Sequence, residues 1–232
     1  MVQHISPGAV VSRIWDIYRD QIAVLVGTAL VLFALQFVVY LLLPGASVAV
    51  AILFWALSTL YQGMVVNLVQ DVQNGRRDHS VGELLRSVEP VLLRLMAVSV
   101  LFAIGVAIGF VLLILPGLIL LVIWSVVAPV TVLERPSVFA AFGRSRELVR
   151  GNGWAVFGVI VLVYLAVLVI SLAAGLASGS LGSLGRALVQ WAVNSAIAPV
   201  SALSASVLYF ALREARAGST SAAPFGPASP TG

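Results

Sequence analysis

The chain is a series of long apolar runs separated by short polar segments. Crossing the hydrocarbon core of a bilayer takes roughly 20 apolar residues at a rise of about 1.5 Å each. Six stretches read as spans, over about residues 22–43, 48–69, 91–115, 118–133, 154–177 and 187–212. Residues 91–133 could be read as one run. Pro116-Gly117 in the middle predicts a hairpin instead, because Pro cannot continue a helix and Gly tolerates positive φ. Pro44-Gly45 marks the equivalent turn between the first two spans. Span four is short, so it is expected to tilt little or to thin the bilayer locally. Pro129 and Pro199 lie within spans four and six and predict a kink and a freed carbonyl in each.

Polar lead-in segments precede spans one, three and five, and they align from a serine: SPGAVVSRIWDIYRD from Ser6, SVGELLRSVEPVLLR from Ser80 and SVFAAFGRSRELVRG from Ser137. Apolar or small residues recur in each at offsets +1, +4, +5, +8, +11 and +12, in the third as Val138, Ala141, Phe142, Ser145, Leu148 and Val149. That spacing is one face of an α-helix. Arg13, Arg86 and Arg144 fall near +7, and Arg19, Arg94 and Arg150 near +13. Interfacial helices are therefore predicted over about 7–20, 81–89 and 138–150, resting in the headgroup layer with the apolar side down. Ser80-x-x-Glu83 is a capping-box pattern. Pro90 breaks the second lead-in, and Gly151 is a candidate turn after the third.

Each lead-in is followed by two spans. Leu-Pro-Gly recurs at 43–45 and 115–117, and Ala-Pro-Val at 128–130 and 198–200. The predicted fold is an all-α integral membrane protein with six transmembrane helices, in three pseudo-repeats of interfacial amphipathic helix plus helical hairpin. Residues 1–216 make up the membrane domain, and 217–232 read as a disordered cytoplasmic tail.

Composition agrees with the pattern. The chain is 61% hydrophobic and 9% charged, whereas a soluble domain carries roughly 25% charged residues. All thirteen basic residues are Arg, and only Arg186 falls on the side of the short turns; all nine acids share the Arg-rich side. The positive-inside rule then predicts a multi-pass protein of the cell (plasma) membrane with both termini cytoplasmic. A pI near 10.1 would suggest nucleic acid in a soluble protein. Here the charge flanks apolar spans, so the expected partners are the bilayer and its anionic phospholipids, with no nucleic acid and no identifiable protein partner. The first run follows the mixed charges Arg13, Asp16, Arg19 and Asp20 without a small-residue cleavage site, and reads as a retained span.

Candidate chemistry is sparse. His4 and His79 lack partners at ligand spacing, so no metal site and no cofactor are expected. No phosphate loop, nucleophile elbow or paired intramembrane carboxylates appear, and no catalytic residue is assigned. No ionisable residue lies deep in a span, which weighs against proton-coupled transport. Neutral polar residues do occur within spans: Gln36, Ser58, Gln62, Asn67, Ser125, Gln190, Asn194, Ser201 and Ser204. They read as interhelical hydrogen bonds or as a polar conduit. Two functions follow. One is a non-enzymatic membrane protein that organises or senses anionic lipids or a membrane partner through Arg13, Arg19, Arg86, Arg94, Arg144, Arg146 and Arg150. In that reading Glu134 pairs with Arg144 or Arg150 to join repeats. The other is a small transporter or channel with a polar path near kinked spans four and six.

The pattern Pro116-Gly117, Pro129, Glu134, Ala141-x-x-Arg144-Ser145-x-x-Leu148-x-x-Gly151-x-x-Trp154 resembles a known bacterial family, as does the closing Leu208-Tyr209-Phe210-Ala211-Leu212-Arg213. The family is the membrane domain found in some glycerophosphoryl diester phosphodiesterases and in stand-alone six-span proteins. The resemblance covers residues from about 5 to 216. It implies the fold and the membrane setting. The soluble barrel that carries catalysis in phosphodiesterase members has no counterpart here, so no enzymatic activity is expected.

Overall fold

A computed structural model of the chain describes residues 5–42, 47–75 and 81–221, and these are all-α. The elements are α1 (Pro7–Asp20), α2 (Ile22–Leu42), α3 (Ser47–Gln73), α4 (Val81–Val88), a 3₁₀ turn (Glu89–Val91), α5 (Leu92–Leu112), α6 (Ile114–Ile123), α7 (Val127–Leu133), α8 (Val138–Val149), α9 (Gly153–Ala177) and α10 (Ser183–Ser221). Six stretches among them are long and apolar enough to cross a membrane. Pro44-Gly45, Ser80 and His79 lie outside the described residues. The 3₁₀ turn contains Pro90 and separates the second lead-in from its span. Helix α10 runs on through residues 217–221, where the tail was expected to begin. Ala211 to Ala217 are mostly strong helix formers and carry the helix beyond its last apolar position.

The hairpin between α5 and α6 turns at Leu113, whose backbone is extended (φ −166°, ψ 153°), and not at Pro116-Gly117. Pro116 lies in the first turn of α6, where its missing N–H has no intrahelical role. Gly117 serves a close approach. A Cβ on Gly109 would lie 2.9 Å from Gly117 Cα, and one on Gly117 would lie 2.5 Å from the Phe110 ring. Glycine lets the two helices pack at a distance that side chains would prevent.

Span four is two helices. Residues 124–126 form a turn, so Pro129 sits in the first turn of α7 instead of kinking a continuous helix. The Val127 N–H bonds the Trp124 carbonyl at 3.0 Å, which leaves the Ile123 carbonyl without its usual partner four residues on. Ser145 Oγ on α8 donates to it at 2.8 Å. Pro199 differs, since α10 continues through it. Near it the Tyr18 hydroxyl of α1 donates to the Ala196 carbonyl at 3.2 Å; Ala196 follows Ser195, whose carbonyl the proline leaves without its usual N–H.

Helices α3 and α10 form the centre. The best apolar windows there are 50% and 61% buried, against 17% for both α5 and α9. Ile104, Ile108, Leu165, Val169 and Leu172 are exposed on the outer helices, as lipid-facing residues must be. The lead-in helices depart from expectation. Val10, Ile14 and Ile17 on α1, and Ala141, Ser145, Leu148 and Val149 on α8, are buried within the protein, so their apolar arcs do not rest in lipid. Helix α1 packs on α9 and α10, α4 on α3, and α8 on α5 and α7. At α4, Val88 sits so close to Gly63 that a Cβ there would meet it at 2.6 Å. The arcs face protein because helices α3, α7 and α10 offer them small or apolar surface.

Ser145→Ala removes the donor to Ile123 and adds no bulk. It is expected to destabilise by about 1–2 kcal/mol, a fall in detergent melting temperature of about 2–8 °C for a chain of this size.

Candidate functional site

The Arg-rich end is built on Glu134, which closes α7. Its Oε2 accepts from Arg144 Nε at 2.8 Å, and its Oε1 accepts from the Tyr209 hydroxyl at 2.9 Å. Arg144 also donates to Glu147 one turn away at 3.3 Å. These bonds join α7, α8 and α10. The hydrogen bond to Glu134 holds the Arg144 guanidinium above its ordinary pKa. The next residue, Arg135, takes a left-handed backbone (φ 53°), and its carbonyl accepts from Arg94 at 2.8 Å. At the end of α8, Arg216 donates to the Arg150 carbonyl at 3.2 Å and to Leu148 at 3.5 Å. A cation suits those last carbonyls, where the helix dipole is negative. Gly151 follows with φ 92°, and buried Asn152 accepts from the Ile5 N–H at 3.3 Å.

The candidate arginines therefore divide. Arg94 and Arg144 are bonded inside the protein, and Arg13 pairs loosely with Glu214 at 3.7 Å. Arg19, Arg86, Arg146 and Arg150 are exposed. Exposed aromatic residues stand among them: Trp15, Phe139 and Trp154, the last 87% exposed. Between α6 and α9 an apolar groove of about 480 Å³ opens, lined by Leu118, Val122, Gly151, Trp154 and Phe157. Sequence reasoning overlooked Tyr209, Arg216 and the donor role of Ser145. The signal for Tyr209 was present: a tyrosine hydroxyl within an apolar span needs a polar partner.

Ser58, Gln62, Ser125, Gln190, Asn194, Ser201 and Ser204 lie along three adjoining cavities, and Asn67 lines none of the three. The first, about 270 Å³, is lined by Phe33, Phe54, Gln190, Trp191 and Asn194 among others. The second, about 350 Å³, shares Phe33, Phe54 and Asn194 with it and adds Ser58, Gln62 and Ser201. The third, about 190 Å³, shares Gln62 and Ser201 with the second and adds Ser125, Ser204 and Leu208. Gln190 donates to Asn194 at 2.9 Å, and Ser204 to the Val200 carbonyl at 2.6 Å. Ser125 Oγ and Trp191 Nε1 are buried with no protein partner. The side chain of Gln36 lies outside the described side chains.

No protein-family model matches the chain, and no curated protein or solved structure matches it.

Two Glu134 variants separate its bonds. Glu134→Gln keeps an acceptor for Tyr209 and loses the charge, and with Arg144 41% exposed the expected loss is at most about 1 kcal/mol. Glu134→Ala removes both acceptors and is expected to cost about 2 kcal/mol. Equal melting temperatures for the two variants in detergent would show that the Tyr209 bond contributes nothing.

Proposed function

We propose that the chain is a non-enzymatic multi-pass membrane protein whose Arg-rich end binds anionic phospholipid. The observation that carries this reading is the division of the arginines. Arg94, Arg144 and Arg216 serve carbonyls and a carboxylate within the protein, while Arg19, Arg86, Arg146 and Arg150 point outward among exposed aromatic residues. Aromatic and basic residues together suit the headgroup layer, where each has an apolar body and a polar tip to place. Arg150 precedes Gly151, at the edge of the apolar groove between α6 and α9. A phosphate beside Arg146 and Arg150 with an acyl chain along the groove satisfies both surfaces.

Charge asymmetry supports placing this end in the cytoplasm of a cell membrane, with both termini on that side. The packing of the short helices supports three pseudo-repeats. Helix α4 lies on the second span of the first unit, α8 on that of the second, and α1 on that of the third, which closes a ring. Chain adjacency places α4 and α8, but not α1. The likeness to the glycerophosphoryl diester phosphodiesterase membrane domain rests on the sequence motifs alone, and those motifs mark the Glu134–Arg144 junction instead of a reaction centre.

Native mass spectrometry of protein released from bilayers of equal phosphatidylglycerol and phosphatidylcholine tests the lipid reading. The wild type is expected to retain phosphatidylglycerol. Arg146→Gln/Arg150→Gln is expected to weaken that retention about thirtyfold, at about 1 kcal/mol per Arg. Equal retention of the two lipids contradicts it.

A further inference from the structure

We infer that the protein also carries a passage for small uncharged, hydrogen-bonding solutes of the polyol class, running beside α10, with Gln62 and Ser201 lining both of the cavities that meet at its middle. Helices α3, α5, α6, α9 and α10 touch in that order, and α10 returns to α3. Five helices thus line the third cavity. The second cavity joins it through Gln62 and Ser201, and the first joins the second through Asn194. Together they extend beside α10 from Ala187 to Leu208. Twenty-one rises of about 1.5 Å make about 31 Å, the thickness of a hydrocarbon core.

Both ends meet the protein's polar ends. Ala187 lies in the first two turns of α10, just after the turn that joins it to α9. Leu208 precedes Tyr209, which bonds Glu134 at the Arg-rich end.

The lining sets the class of solute. Gln, Asn and Ser supply donors and acceptors, while Phe, Leu and Val supply the remaining wall. No Asp, Glu, Lys, Arg or His lines the three cavities among the described residues. An ion would lose its hydration with no opposite charge in return. A molecule with hydroxyls along one edge and carbon along the other fits both walls. Ser125 in the third cavity and Trp191 in the first each add a buried polar atom with no protein partner. Gln190 bonds Asn194 and Ser204 bonds Val200, each on its own helix, so interhelical hydrogen bonding does not account for these residues.

Stopped-flow light scattering of proteoliposomes holding the full chain, challenged with a glycerol gradient, tests the passage. Wild-type vesicles are expected to reswell faster than protein-free vesicles of the same lipid. Gln62→Leu is expected to slow the protein-dependent rate about fivefold, the factor that one lost hydrogen bond where the two cavities meet corresponds to. Ser201→Leu, which adds bulk where the second and third cavities meet, is expected to abolish it. Ser99→Ala, whose hydroxyl bonds the Leu95 carbonyl of its own helix, is expected to match wild type and shows that a change at a half-buried span serine alone does not stop flux. The inference is overturned by wild-type reswelling no faster than protein-free vesicles, by a rate that neither Gln62→Leu nor Ser201→Leu lowers, or by sodium chloride entering as fast as glycerol.

Discussion

Side-chain donors to backbone carbonyls are the interaction on which most of this fold depends. In hydrocarbon no water is available to take an orphaned backbone group, and each one costs several kcal/mol. This chain creates such a group at the turn before α7, and a side chain from elsewhere meets it. Ser145 reaches the Ile123 carbonyl, and Tyr18 reaches that of Ala196. Within α2, the Tyr61 hydroxyl adds a donor to the Leu25 carbonyl at 2.9 Å. At the Arg-rich end the same task falls to Arg94 and Arg216. The donors lie on α8, α1, α3, α5 and α10, so satisfying these carbonyls fixes how the helices are assembled.

That constraint gives the short helices their role. Helices α1 and α8 have an apolar arc and a polar arc, as a membrane-surface helix would. Their apolar arcs are buried against the bundle, and hydroxyls on or beside those arcs complete its hydrogen bonding. The outward faces are then left to Arg and aromatic residues. One set of arginines holds the end of the bundle together and another meets its surroundings, and Glu134 stands at the boundary, with Tyr209 on one oxygen and Arg144 on the other.

The spans were legible because hydropathy over 20 residues is a strong signal. Turn positions were less so. Pro116-Gly117 carries turn chemistry, yet the chain turns at Leu113, because proline is equally at home in the first turn of the helix that follows. Pro129 deceived for the same reason, while Pro199, in the same Ala-Pro-Val setting, stays within a continuous helix. The difference comes from neighbours distant in sequence, which a local motif does not encode. Amphipathic periodicity identified α1, α4 and α8 as helices but gave no means of telling a protein-facing arc from a lipid-facing one. At the candidate site, opposite charge made Glu134 and Arg144 a natural pair. Tyr209 and Arg216 are 75 and 66 residues from Glu134 and Arg150, their respective partners, and no spacing rule reaches that far.

The short helices close the assembly, α1 by packing on the last span. The chain contains no cysteine, so a cross-link can be placed without interference. Ala9 and Ala211 line one crevice between α1 and α10. Ala9→Cys/Ala211→Cys, treated in native membranes with a short bifunctional maleimide, is predicted to give an intramolecular cross-link in most chains. Failure to cross-link, or linkage only between separate chains, would contradict the closed arrangement.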